Sequence, residues 1–140
     1  MPRCKIVAVV MAGGACGAVA RTVADAVLMG AVLPNAMLPA AAPGFLAVFP
    51  LGVLGINIIG SFCMGLLAGR AARSVANPVS TAFLGTGFLG GFTTFSTFAL
   101  DTVQLVGEFP LVAALYAAGS IAGGVMAAWS GWHLSAPAGD

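Results

Sequence analysis

Long stretches of this chain carry no Asp, Glu, Lys or Arg: residues 26–69, 74–100 and 109–139, preceded by a shorter one at 6–20. A transmembrane helix needs about 20 mostly apolar residues, so the charges between these stretches act as rulers. The first apolar run continues past Arg21 and Asp25 to about residue 33. The stretch 26–69 is too long for one crossing, and Pro34, Pro39, Pro43 and Pro50 within it end one helix and delay the next. The pattern predicts one all-α membrane domain over residues 1–140, with helices at about 6–32, 51–69, 78–100 and 110–132. The last three open beside Pro50, Pro78 and Pro110, where a first helical turn needs no N–H. The first run outlasts the apolar core of a signal peptide and reads as a retained helix.

Composition closes off the soluble alternatives. Hydrophobic residues make up 60% of the 140 residues and charged residues 6%, with mean hydropathy +1.07; a soluble domain carries about 25% charged residues. A soluble enzyme, a nucleic-acid binder and a disordered regulator are all poor readings of such a chain. Net charge is +1, with no basic run able to grip phosphates. Cys4, Cys16 and Cys63 form no CxxC arrangement and read as small packing residues, and a single histidine, His133, leaves zinc without a ligand set. No nucleophile–base pair or nucleotide loop is present, so the chain does not read as an enzyme.

Arg3 and Lys5 precede the first crossing, while Arg70 and Arg73 separate the second from the third. Two crossings lie between these pairs, so four of the five basic residues share one side. If orientation is fixed, the positive-inside rule favours both termini in the cytoplasm; the expected location is the plasma (inner) membrane. Small residues recur four apart at Gly13/Gly17, Ser61/Gly65, Gly65/Gly69, Gly87/Gly91 and Gly119/Gly123, the spacing that lets helix backbones approach closely in lipid.

The segment GTGFLGGFTTFSTFALD, residues 85–101, is not explained by packing alone. The pair Gly90–Gly91 predicts a break in the third helix near Gly90–Thr94, because glycine weakens a helix by about 1 kcal/mol against alanine. Backbone groups freed at membrane depth must be buried in protein or line a polar cavity. Freed carbonyls suit a small hard cation, and the start of the next half-helix suits an anion. Phe92, Phe95 and Phe98 follow at intervals of three, with Thr93, Thr94, Ser96 and Thr97 between them. Phenylalanine facing lipid and hydroxyls bonding their own backbone are one reading. The other is an anion path, in which positive ring edges and hydroxyl donors replace part of a lost water shell. Asn57 admits both a helix–helix hydrogen bond and a role as anion donor. Arg21 and Asp25, four apart, offer an ion pair or an anion-attracting charge. Tyr116 places a hydroxyl at membrane depth.

The motifs GGACGAVAR (13–21), GVLGINIIGSF (52–62) and GTGFLGGFTTFSTF (85–98) together resemble the Fluc (CrcB) family of fluoride channels, in the family's order and over nearly the whole chain. The resemblance implies an antiparallel dimer with two fluoride pores, giving passive fluoride export that reduces toxicity. It further implies a structural Na+ at the dimer centre, held by the carbonyls of Gly90 and Thr93. The fluoride pathway maps to Phe95, Phe98, Asn57, Ser96, Thr97, Tyr116 and the helix-1 arginine, Arg21. Three positions depart from the family pattern: Val53 stands where threonine is usual, Asp101 where glutamate is frequent, and Thr22 where an aromatic is common.

Two further readings accompany the channel. The strong charge bias suits a half-partner that pairs with a paralogue of opposite orientation, and the missing hydroxyl at Val53 suits a non-conducting partner subunit in such a pair. A small proton-coupled multidrug-type exporter is the alternative from another class. It needs a carboxylate at membrane depth, whereas Asp25 and Asp101 are expected near helix ends.

Overall fold

The computed structural model describes residues 3–32, 49–73 and 77–135, and among these every regular element is a helix. α1 spans Arg3–Val32, α2 Leu51–Ala72 and α5 Pro110–Ser135. The third crossing comes in two parts. α3 opens with the turn Pro78–Thr81, continues as a π-helical run over Ala82–Leu89 and closes with Gly90–Phe92. α4 resumes at Phe95–Glu108. Four segments are long and apolar enough to cross a membrane: Cys4–Val27, Leu51–Ala72, Pro78–Glu108 and Pro110–Ser135. Most of the proline-bearing connection, residues 33–48, lies outside the described residues.

Local chemistry sets the helix ends. Asn77 caps α3 by accepting the Val79 N–H at 2.9 Å, with Pro78 at the first position. Phe109 leaves the helix at φ −137°, as the residue before a proline tends to. The third crossing therefore runs to Glu108 rather than to about residue 100. This places Asp101 two turns inside α4, not at a helix end as the sequence suggested.

The break also differs from expectation in its cause. Gly90 is helical, at φ −64° and ψ −32°. The chain leaves the helix at Thr93 (φ −76°, ψ 157°) and Thr94 (φ −142°, ψ 119°), two β-branched residues suited to extended backbone. The glycines serve close approach instead. A Cβ on Gly91 would run into the Gly14 carbonyl, and one on Gly87 would sit 2.8 Å from the Val10 carbonyl.

The helices pack as two parallel pairs. α1 lies along α3, where a Cβ on Gly13 would strike the Phe83 carbonyl and one on Gly17 the Phe88 carbonyl. α2 lies along α5 in the same manner, with Gly65 facing the Ala128 carbonyl and Gly131 the Phe62 carbonyl. At the end of α5 the Ser135 hydroxyl donates to the Leu66 carbonyl at 2.8 Å, tying the two helices together. Gly13, Gly17, Gly65, Gly87 and Gly91 thus work as their spacing implies, whereas a Cβ on Gly119 would meet nothing within 4 Å. Gly131, not among the glycine pairs read from the sequence, is one of the tightest contacts; Ser135, four residues on, carries the signal.

Outward faces are apolar. Val7, Met11, Val19, Val23 and Val27 form an exposed stripe at multiples of four along α1, as a lipid-facing helix should. Gly17→Val is expected to destabilise the fold by about 1–3 kcal/mol through overpacking of backbone on backbone. Gly107→Ala, where a Cβ meets no atom within 4 Å, should change stability by no more than about 1 kcal/mol, in the stabilising direction. Thermal unfolding of the two purified variants in detergent measures both.

Candidate functional site

The break is held by α2. The Asn57 amide pairs with the peptide of Thr94: its Nδ2 donates to the Thr94 carbonyl at 3.0 Å, and its Oδ1 accepts the Thr94 N–H at 2.9 Å. One turn along α2, the missing Cβ of Gly60 leaves the space that the Thr93 methyl fills. Backbone polar groups inside a membrane need partners, and α2 supplies both for Thr94 with one amide side chain while Gly60 seats the Thr93 methyl.

Thr94 then starts α4. Its Oγ1 accepts the Thr97 N–H at 3.2 Å, an N-cap bond, and lies 2.9 Å from Thr97 Oγ1 and 3.3 Å from Ser96 Oγ. Three hydroxyls therefore meet at the N-terminus of a half-helix, where unpaired N–H groups and the helix dipole favour negative charge. The Thr93 hydroxyl is directed otherwise and donates to the Leu89 carbonyl at 2.9 Å.

Asn57, Ser61, Thr93, Thr94 and Ser120, with the rings of Phe95 and Phe98, line a cavity of about 250 Å³. Phe95 is 79% exposed, an unusual fraction for a ring beside so many polar groups. Its centroid stands 5.7 Å from that of Phe98, and the Phe98 centroid 5.5 Å from that of Tyr116. Phe49 closes the row edge-on to Tyr116 at 5.5 Å. Tyr116 is only 1% exposed, packed with Leu105 and Ala113. Its hydroxyl lies beside the Asp101 carboxylate and the Ser120 hydroxyl. Tyr116 Oη, Asp101 Oδ2 and Ser120 Oγ are buried without a hydrogen-bond partner among the described residues, which is rare for buried polar atoms.

The structure thus brings together Asn57, Phe95, Phe98, Ser96, Thr97 and Tyr116 around the break. Arg21 is not among the residues lining the cavity. It sits half-buried on α1, one turn beyond Gly17, which packs against Phe88 and Phe92. Thr22 spends its hydroxyl on its own helix, donating to the Ala18 carbonyl at 3.0 Å. Val53 is buried in α2, one turn before Asn57. Sequence reasoning passed over Ser61, Ser120 and the capping role of Thr94. Each had a signal: Ser61 lies four residues after Asn57, Ser120 four after Tyr116, and a threonine directly before an apolar helical run is an N-cap pattern.

Gly90 and Thr93 are carbonyl candidates for a small hard cation, and the donor set fits. The N–H groups that an unbroken helix would aim at these two carbonyls, those of Thr94 and Thr97, bond Asn57 Oδ1 and Thr94 Oγ1 instead. No group of three or more His, Cys, Asp or Glu side chains gathers for a metal among the described residues. Main-chain oxygens are the ligands this site offers.

The family model "CrcB-like protein, Camphor Resistance (CrcB)" matches residues 8–132. The chain is 44% identical over 128 residues to a fluoride-specific ion channel FluC of Novosphingobium aromaticivorans, covering 91% of this chain and 93% of the relative. It is 46% identical over 85 residues to fluoride-specific ion channel FluC 2 of Moorella thermoacetica, covering 60% and 69%. To fluoride-specific ion channel FluC of Sphingopyxis alaskensis it is 43% identical over 127 residues, covering 89% and 90%. With four apolar crossings, a third one broken at Thr93–Thr94 and this degree of likeness along nearly its whole length, the chain belongs to the CrcB family.

Proposed function

We propose that this chain forms a fluoride-specific channel through which fluoride leaves the cell passively, and that it catalyses no reaction. The observation that carries the reading is the exposed Phe95 ring beside a hub of three hydroxyls at the start of a half-helix in the membrane. A small anion in such a place meets positive ring edges and hydroxyl or amide donors in place of water. A cation meets the wrong ends of the same dipoles. The relatives' names supply the ion, and the chemistry of the site agrees with the smallest, most strongly hydrated halide.

Asn57 has two amide N–H groups, one of which is committed to Thr94; the other is the donor assigned to fluoride. Ser96 and Thr97 supply hydroxyls, Phe95 and Phe98 ring edges, and Tyr116 a hydroxyl that continues the polar line past Phe98. Arg21 acts at a distance, as a positive charge raising local anion concentration. Fluoride enters cells as neutral HF from acid surroundings and ionises in the cytoplasm, so a passive path lets it run outward down its gradient.

A ring 79% exposed on one protomer calls for a second copy to complete the path. An antiparallel dimer would bring two breaks together, with the Gly90 and Thr93 carbonyls holding a structural, untransported sodium ion at the centre. The charge bias of Arg3, Lys5, Arg70 and Arg73 favours cytoplasmic termini in the plasma membrane. That bias, with relatives numbered FluC 1 and FluC 2, supports a second arrangement, pairing with a paralogue of opposite orientation.

Fluoride efflux from proteoliposomes, followed with a fluoride electrode, tests the channel. Asn57→Ala should lower the rate about tenfold or more, the worth of one hydrogen bond to a charge, and Phe95→Ile should lower it in the same sense. Unaltered rates in both would overturn the site assignment. A single cysteine at Ser74, in a chain lacking Cys4, Cys16 and Cys63, should react with an impermeant thiol reagent from one side only if orientation is fixed. Labelling from both sides would establish the dual-topology homodimer instead.

A further inference from the structure

The two carbonyls singled out at the break lie where the backbone turns extended at Thr93 and Thr94, and side chains hold the N–H groups that an unbroken helix would aim at them. A helix interrupted by two extended residues would by itself loosen several backbone groups without choosing among them. Here two of the freed N–H groups are held by side chains. The Leu89 carbonyl is doubly satisfied, accepting the Thr93 N–H at 3.0 Å and the Thr93 hydroxyl at 2.9 Å. The Gly90 carbonyl would ordinarily receive the N–H of Thr94, but Asn57 Oδ1 holds that group at 2.9 Å. The Thr93 carbonyl would ordinarily receive the N–H of Thr97, but Thr94 Oγ1 holds that one at 3.2 Å. Gly60 adds to the arrangement by seating the Thr93 methyl, which fixes the residue whose carbonyl is stripped.

We propose that Asn57 and Thr94 are positioning residues for the sodium ion: by capturing the N–H groups of Thr94 and Thr97 they leave the carbonyls of Gly90 and Thr93 free to hold it. Neither side chain touches the cation. Each removes the competitor that would otherwise occupy a ligand oxygen, and the cost of a bare carbonyl at membrane depth is relieved when the ion binds. The inference rests on the sodium reading given above, and it assigns Asn57 a task additional to its fluoride contact.

Thr94 gives the cleaner test because, although its hydroxyl belongs to the hub, it accepts the Thr97 N–H, and the fluoride donors assigned are Asn57, Ser96 and Thr97. Thermal unfolding of the purified, assembled full-length chain is followed while sodium chloride replaces N-methylglucamine chloride at constant ionic strength. The wild-type midpoint should rise with sodium to a plateau. In Thr94→Val the cap that holds the start of α4 is lost, the helix is free to extend back so that the Thr97 N–H competes for the Thr93 carbonyl, and the sodium concentration for half the rise should increase about tenfold, the effect of one competing hydrogen bond. Thr94→Ser keeps the oxygen and should restore the wild-type value. Thr94→Ala, which removes the oxygen without leaving a bulky methyl pair, should repeat the loss and serves if the valine variant does not assemble. A purely structural role would lower every midpoint and leave the half-rise concentration where it was. That outcome, or failure of serine to restore, overturns the proposal. A wild-type protein indifferent to sodium overturns it together with the sodium reading, while the efflux measurement judges the fluoride channel separately.

Discussion

An amide side chain joined to a peptide, Asn57 to Thr94, is the contact on which the rest of this molecule depends. In water a helix interruption is cheap, since solvent satisfies what the ladder loses. In hydrocarbon each unpaired backbone group costs several kcal/mol, on the order of a whole hydrogen bond with nothing returned. An extended Thr93–Thr94 pair in the third crossing therefore requires a partner that offers both a donor and an acceptor at the right separation. Asparagine is such a partner, and a helix carrying it must lie alongside. The course of α2 follows from this need as much as from its own apolar surface.

Close approach is what makes that alignment possible. Helices in lipid gain nothing from hiding apolar surface from water, so contact comes through shape. Gly13 and Gly17 bring α1 onto α3, and Gly65 and Gly131 bring α2 onto α5, in each case with the backbone of one helix against the backbone of the other. The two parallel pairs leave α4 against α5. Phe98 thereby stacks toward Tyr116, while Phe95, three residues earlier, is turned outward. A chain built in this way presents a polar, ring-lined notch on its surface in place of an enclosed tunnel.

Much of this was legible in the residues. The uncharged stretches and the prolines at 50, 78 and 110 mark the crossings, and the runs Leu51–Ala72 and Pro110–Ser135 begin where those prolines indicate. The ends were harder: α2 and α5 each run three residues beyond the bounds read from the sequence, and α4 eight, because a helix continues until chemistry stops it and not where hydropathy falls. The double glycine pointed to the right region for the wrong reason. Glycines at 87 and 91 are needed where helices touch, and the backbone departs at two threonines that, read alone, look like ordinary helix-surface hydroxyls. The π-helical run Ala82–Leu89 has no signature in the sequence pattern, since the wider i→i+5 turn underwinds the helix without changing its composition.

By itself the sequence determined that this chain lives in a membrane, how many times it crosses, that small residues let the helices meet and which short segment holds the chemistry. These follow from composition, charge and spacing, all properties of neighbouring residues. Only the tertiary structure decided that Asn57 holds a peptide 37 residues away and that Asp101 of α4 lies beside Tyr116 and Ser120 of α5 in one buried corner. Those are contacts between helices, and their partners are fixed by how the crossings pack, a three-dimensional outcome that no local spacing encodes.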